Sequence, residues 1–172
     1  MVLTAVAAGT LLRLAVVWTD PAGEFLNDSA FHWRMIDDVV EHGHVPAPDP
    51  LSDPPRGRDI AHYLPEGLYQ SGAAFHGLLS AFGSRDLRFN ILLFIALAGG
   101  LIAIPVFVAA RALFSSAWAG GLAAAIAVMS PAHLHRTYAY WLRYDSLGTL
   151  LILAHVALSL RALGSSGRRA SR

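Results

Sequence analysis

Asp145 is the only acidic residue after position 86; the other eleven of the 12 acids lie between Asp20 and Asp86. It stands where an apolar run begins, and a carboxylate at the mouth of a membrane helix is costly enough to mark a candidate for function. A salt bridge to Arg143 or Arg136, or a cap on the helix that follows, would hold it there equally well. Asp28, in Phe25-Leu-Asn-Asp-Ser-Ala-Phe-His-Trp-Arg34, has the same two readings, because it falls where a helix should start. His32 follows it by four residues and shares its face if the helix begins early, with Arg34 close behind. Two carboxylates from separate segments offer the hard oxygens that Mg²⁺ or Mn²⁺ prefer. Such an ion binds phosphate and helps a diphosphate to leave. Arg136 and Arg143 add planar forks that suit phosphate oxygens, or else lipid headgroups and salt bridges.

These residues need elements to hold them. Residues 1–18 are apolar except for Arg13 and span about 26 Å as a helix, just enough to cross a bilayer core with flanking help. A cleaved signal peptide would want a basic start and a small-residue cleavage site, and neither is clear. Residues 19–88 form a long polar loop. Within it, Ser29–Glu41 has the spacing of a helix that Gly43 stops. His44–Arg58 holds five Pro and must be irregular. Leu64–Phe82 suits an amphipathic helix at the membrane interface. Further spans are expected over 89–111, 117–131 and 146–163, with Pro105 inside the first of these. Gly120, Gly121, Ala123, Ala124 and Ala125 suit close helix contact in lipid. Residues 132–145 read as a short polar, aromatic loop whose Tyr138, Tyr140, Trp141 and Tyr144 suit an interfacial belt. Residues 164–172 form a basic tail.

The expected fold class is therefore an all-α polytopic membrane protein of about four transmembrane helices, with a large helical outer loop between the first and second. Four spans put both ends of the chain on one side. The basic tail and Arg111 assign that side to the cytoplasm of the plasma (inner) membrane. Asp28 and Asp145 then share the outer face.

Composition removes several classes. The chain has 172 residues, 55% hydrophobic and 15% charged, more apolar and less charged than a soluble domain. All 13 basic residues are Arg, and the net charge of +1 offers no basic stripe for nucleic acid. There is no Cys, so disulfides and thiolate metal sites are excluded. His42/His44 and His133/His135 are two residues apart, without the four-residue spacing of a helical zinc pair; a metal-handling role for the eight His is the weakest alternative.

Asp28-Ser-Ala-Phe-His-Trp-Arg34 resembles the first outer-loop motif of bacterial and archaeal oligosaccharyltransferase catalytic subunits, polytopic enzymes of the C-type glycosyltransferase fold. Ile104-Pro-Val-Phe-Val-Ala-Ala-Arg111 resembles their second helix. Gly120 to Pro131, then His135-Arg-Thr137 and Tyr144-Asp145, are similar to their third helix and second acidic motif. The resemblance implies transfer of a glycan from a polyprenyl-phosphate-type carrier to an Asn of an acceptor protein. It implies Asp28 as the first-loop catalytic and metal-binding acid, Asp145 as a second metal ligand, and Arg136 beside the carrier phosphates. Leu147 departs from the family, which has an acid there, as does Arg143 before Tyr144. Members of the family continue through many more helices and a soluble domain. Transfer is therefore not expected from this chain alone, and a separate polypeptide with the remaining helices is one partner that would complete it. The alternatives are another C-type enzyme, modifying protein with O-linked mannose or modifying lipid, and a degenerate fragment without catalysis.

Overall fold

The computed structural model describes residues 1–64 and 66–170, without the side chains of 61 and 164–170. Nine helices form among the described residues, and no strand beyond an isolated antiparallel bridge between Asp49 and Arg58. They belong to two compact units. A helical unit comprises residues 1–22, 95–139 and 144–172; a polar unit comprises residues 23–94 and 140–143.

The helical unit begins with α1 (Val2–Thr19). Helix α5 (Leu87–Leu101) gives its first turns to the polar unit and the remainder to the helical one. It continues into α6 (Ala103–Phe114) after a single turn residue, Ile102. Pro105 has no N–H to return to Leu101, which accounts for the break there. Together Leu87–Phe114 is one 28-residue apolar span, longer than the expected 89–111. Ser115 closes α6 in the left-handed region (φ 52°), and Ser116 caps α7 (Ala117–Met129) through the Ala119 N–H at 3.2 Å. The core is a knot of small and branched side chains, Ala5, Ile102, Ala103, Ala124 and Val128. The glycines let backbones close in. A Cβ at Gly120 would lie 2.9 Å from the Phe107 carbonyl oxygen, and one at Gly100 would lie 2.8 Å from that of Val6.

Residues 131–137 correct the expected loop. They form α8 (Pro131–Thr137), bent by 54° from α7. Pro131 at the first helical position starts a helix rather than only ending one. Helix α9 (Tyr144–Ala170) carries an apolar span over Tyr144–Leu163. Its backbone runs into the expected tail, whose residues 171–172 lie outside the described residues, as do the side chains that would make its 164–170 part basic. Three helices, 2–19, 87–114 and 144–163, are long and apolar enough to cross a membrane, or four if the bent pair α7–α8 is one span.

In the polar unit, α2 (Ser29–His42) ends at Gly43 in the left-handed conformation (φ 83°), close to its expected bounds. A short α3 (Ile60–Tyr63) precedes α4 (Gly67–Ala81), the segment expected to be amphipathic. Met35, Ile36 and Val39 of α2 are buried, as are Leu68, Tyr69 and Gly72 of α4. Gly72 sets the fit, since a Cβ there would lie 2.9 Å from Ile36 Cδ1. Buried Asn90 is satisfied by Ser84 Oγ at 2.6 Å, the Ser84 carbonyl at 3.0 Å and His76 Nδ1 at 3.0 Å.

Candidate functional site

Asp28 occupies the N-cap position of α2, but its side chain makes no capping hydrogen bond. Its carboxylate instead faces Arg143, with Oδ2 3.2 Å from a guanidinium nitrogen. This argues against the bland reading of Asp28 as a mere helix starter. The approach of Arg143 is built by residues 140–143, which dock on the loop leading into α2. The Leu26 N–H donates to the Tyr140 carbonyl at 3.1 Å. Phe25 stacks on Trp33 with ring centroids 5.1 Å apart and meets the Tyr140 ring edge-on at 6.4 Å. Arg88 lies 5.6 Å over Tyr140 and donates to the Gly23 carbonyl. Arg143 itself rests 5.7 Å over the Trp141 ring. Tyr140 is thus buried packing rather than part of an interfacial belt. The pair remains open to water, with side chains 50% (Asp28) and 34% (Arg143) exposed.

His32 and Arg34 take different parts. His32 is buried and bonds Tyr69 Oη through Nδ1 at 3.0 Å, while its N–H donates to the Asp28 carbonyl at 3.1 Å. Burial pushes its pKa below the ordinary histidine value, Asp28 pulls it back up, and Arg143 lowers it. Arg34 turns to Asp49 in a two-pronged bond of 2.6 and 2.7 Å. Asp49 also accepts from the Leu51 N–H at 3.2 Å and from Ser52 Oγ. No spacing in the sequence signalled Asp49 or Tyr69, because both reach their partners across loops.

Arg136 and Asp145 belong to the helical unit. Arg136 is exposed in the last turn of α8. Asp145 is half-buried in the first turn of α9, where the helix dipole favours a carboxylate. Among the described residues no group of three or more His, Asp or Glu side chains comes together to hold a metal. Asp28, beside Arg143, keeps its carboxylate half exposed.

The helices and their apolar lengths define an integral membrane protein. The family model described as "Oligosaccharyl transferase STT3, N-terminal" matches residues 1–170, and the chain belongs to that family. It is 33% identical over 132 residues to the dolichyl-phosphooligosaccharide-protein glycotransferase 1 of Pyrococcus horikoshii, covering 76% of this chain and 13% of that relative. It is 30% identical over 141 residues to the enzyme of the same name from Pyrococcus furiosus, covering 81% of this chain and 14% of the relative. The chain thus matches about an eighth of the length of these relatives. No solved structure gives a significant match.

Proposed function

We propose that this chain supplies the donor-side, N-terminal part of a glycosyltransferase that moves a glycan from a polyprenyl-phosphate-type lipid to an Asn of an acceptor protein. Its loops face outward from the plasma membrane. Family membership supports the reaction class, and the name of the Pyrococcus relatives supports a phosphate-linked oligosaccharide donor and a protein acceptor. The observation that carries the site is Asp28, which leaves its own helix uncapped and offers its carboxylate outward beside a guanidinium. A carboxylate so placed can take a proton or orient an amide. On the same resemblance Asp28 and Asp145 would be carboxylate ligands for Mg²⁺ or Mn²⁺, with further ligands from outside these residues. When bound, that ion would neutralise the donor phosphates. Arg136 and Arg143 would meet those phosphates, and His32, locked on Tyr69, would keep the first turn of α2 in place.

The segment is a minor share of the relatives' length, which supports the view that transfer requires further helices. A chimera tests all of this. Residues 1–170 replace the matching region of the Pyrococcus horikoshii relative, and transfer to an acceptor peptide is measured with Mn²⁺ present. The chimera is expected to transfer and Asp28→Ala to lose at least about 100-fold, the scale of removing a general base. An active chimera that keeps full turnover after Asp28→Ala refutes the assignment.

A further inference from the structure

Away from Asp28, the helical unit holds two arginines that share one hollow. Arg111, Arg161 and Ser115 line a cavity of about 510 Å³ with Phe107, Val108 and Ala112. We propose that this cavity binds the phosphate group of an anionic membrane lipid. This inference rests on the cavity alone and is independent of the function proposed for Asp28.

Depth is the first argument. Arg111 lies three residues before the end of the Leu87–Phe114 span, and Arg161 lies two before the end of Tyr144–Leu163. At 1.5 Å per residue, both guanidinium stems start within about 5 Å of the end of apolar helix, which is headgroup level. Charge is the second. The helical unit contains only two acids, Asp20 and Asp145. Asp145 sits sixteen residues from Arg161 on the same helix, about 24 Å away. Ala5 packs with Ile102 and Ala103 while Arg13 reaches Gly99, so α1 runs antiparallel to α5–α6 and Asp20 belongs to the opposite end from Arg111. Neither arginine makes an ion pair among the described residues. Two like charges lining one cavity without a counter-ion repel each other, and a phosphate between them removes the cost.

The chemistry of the walls fits that ligand. Guanidinium forks bind phosphate oxygens two at a time, and a serine hydroxyl can donate a further bond. The Phe107, Val108 and Ala112 side suits glycerol and the start of an acyl chain. Basic pockets between membrane helices are a common seat for anionic headgroups. The C-terminal dipole of α6 also favours Arg111 in its last turn, by about 0.3–1 kcal/mol, whereas α9 runs on to Ala170, well past Arg161. That accounts for Arg111 alone and not for its meeting Arg161 in one hollow.

The full chain, purified in a neutral detergent, is mixed with phosphatidylglycerol or phosphatidylcholine, and retained lipid is read by native mass spectrometry. Phosphatidylglycerol should be retained at least about ten-fold more strongly, a factor worth about 1.4 kcal/mol. Arg111→Gln and Arg161→Gln should each cut retention several-fold and the double variant about ten-fold or more. The Arg→Lys pair should fall between, since it keeps charge and loses the fork. The single and lysine variants keep the test open if the double variant does not fold. A parallel titration with inorganic phosphate separates the sources. Phosphate binding that needs both arginines, with no lipid retained, would assign the same site to a free anion. Equal retention of the two lipids, or retention of phosphatidylglycerol unchanged in every variant, with no arginine-dependent phosphate binding, overturns the proposal.

Discussion

Arg13 of the helical unit and Arg34 of the polar unit are both clamped, and by opposite means. Arg13 is fully buried and pairs with no carboxylate among the described residues. Its Nε donates to Thr137 Oγ1 at 2.7 Å, and one terminal nitrogen donates to the Gly9 and Val128 carbonyls at 2.7 and 3.2 Å. Thr137 passes the bond on, donating to the His133 carbonyl at 2.6 Å. Arg34 is gripped by the buried carboxylate of Asp49. In an apolar bundle, acceptors come from helix backbones that glycines allow to close in, and a second buried charge would add its own desolvation cost. In a Pro-rich loop without regular backbone pairing, a carboxylate fixes the chain instead. Asp28 and Arg143 follow neither pattern: they pair in the open, where an ion pair is worth about 1 kcal/mol or less. The carboxylate that holds the fold is enclosed, and the one available for chemistry is half exposed.

The most damaging test of that contrast is Gly99→Ala. A methyl there would lie 2.3 Å from Arg13 Nε and 2.7 Å from its Cδ, so the arginine must leave its acceptors. A loss of about 3 kcal/mol is expected from overpacking and broken hydrogen bonds together. It should show as an earlier midpoint when the purified chain is unfolded by SDS and followed by circular dichroism. An unchanged midpoint would mean that Arg13 is free to move. Asp49→Asn should come next, costing the polar unit about 2 kcal/mol because the enclosed side chain gives up its charge-assisted hydrogen bonds to Arg34, Ser52 and the Leu51 N–H. Trypsin reports it directly, since Arg56 and Arg58 lie in the loop that Asp49 closes through its paired backbone bonds with Arg58 at 2.7 and 3.0 Å. Cleavage there should accelerate at least about ten-fold, because proteolysis follows the open population.

The sequence made α2 legible from end to end, because Asp28, the apolar spacing and Gly43 all point to one helix. The three long membrane spans were legible from apolar length, which single arginines such as Arg13 do not hide. Helix α8 was not: Ser130-Pro131 serves equally to end α7 and to open α8, and 132–143 has no apolar period to arbitrate. The Arg34–Asp49 clasp lay hidden because nothing local links two residues fifteen apart across the end of α2 and the loop after it. Of the site, Asp28 could be read as a candidate, but its choice of Arg143 over its own helix depends on how 140–143 docks, which long-range packing alone decides.

Acid separates the clasp from the open pair more gently. Its bonds to Arg34, Ser52 and the Leu51 N–H hold the Asp49 carboxyl well below its ordinary value of 3.8, at about 2. A carboxyl depressed in the folded state stabilises fully above its unfolded value and loses that contribution as pH falls through the folded one. The clasp should therefore be intact above about pH 4 and drain away between about 4 and 2. Amide exchange over residues 49–58, corrected for intrinsic rates, should rise in that window. Asp49→Asn should flatten the dependence, and an equal rise in that variant would place the acid sensitivity elsewhere.

The smallest expected effect on stability is the most informative about function. Asp28→Asn and Arg143→Gln each break an ion pair whose side chains are half and one-third exposed, and neither leaves a buried charge behind. Water re-solvates the survivor, so the SDS midpoint should move by no more than about 0.5 kcal/mol. Salt should already weaken the pair in the unaltered protein, as screening does for exposed charges. In the chimera described above, however, Asp28→Asn should remove transfer, since an amide cannot replace the carboxylate as base or ligand. Large loss of transfer with little loss of stability is the signature of a residue kept for chemistry. If Asp28→Asn instead destabilises the polar unit as much as Asp49→Asn does, Asp28 is another clasp, and the distinction between enclosed and open pairs fails at the residue where it matters most.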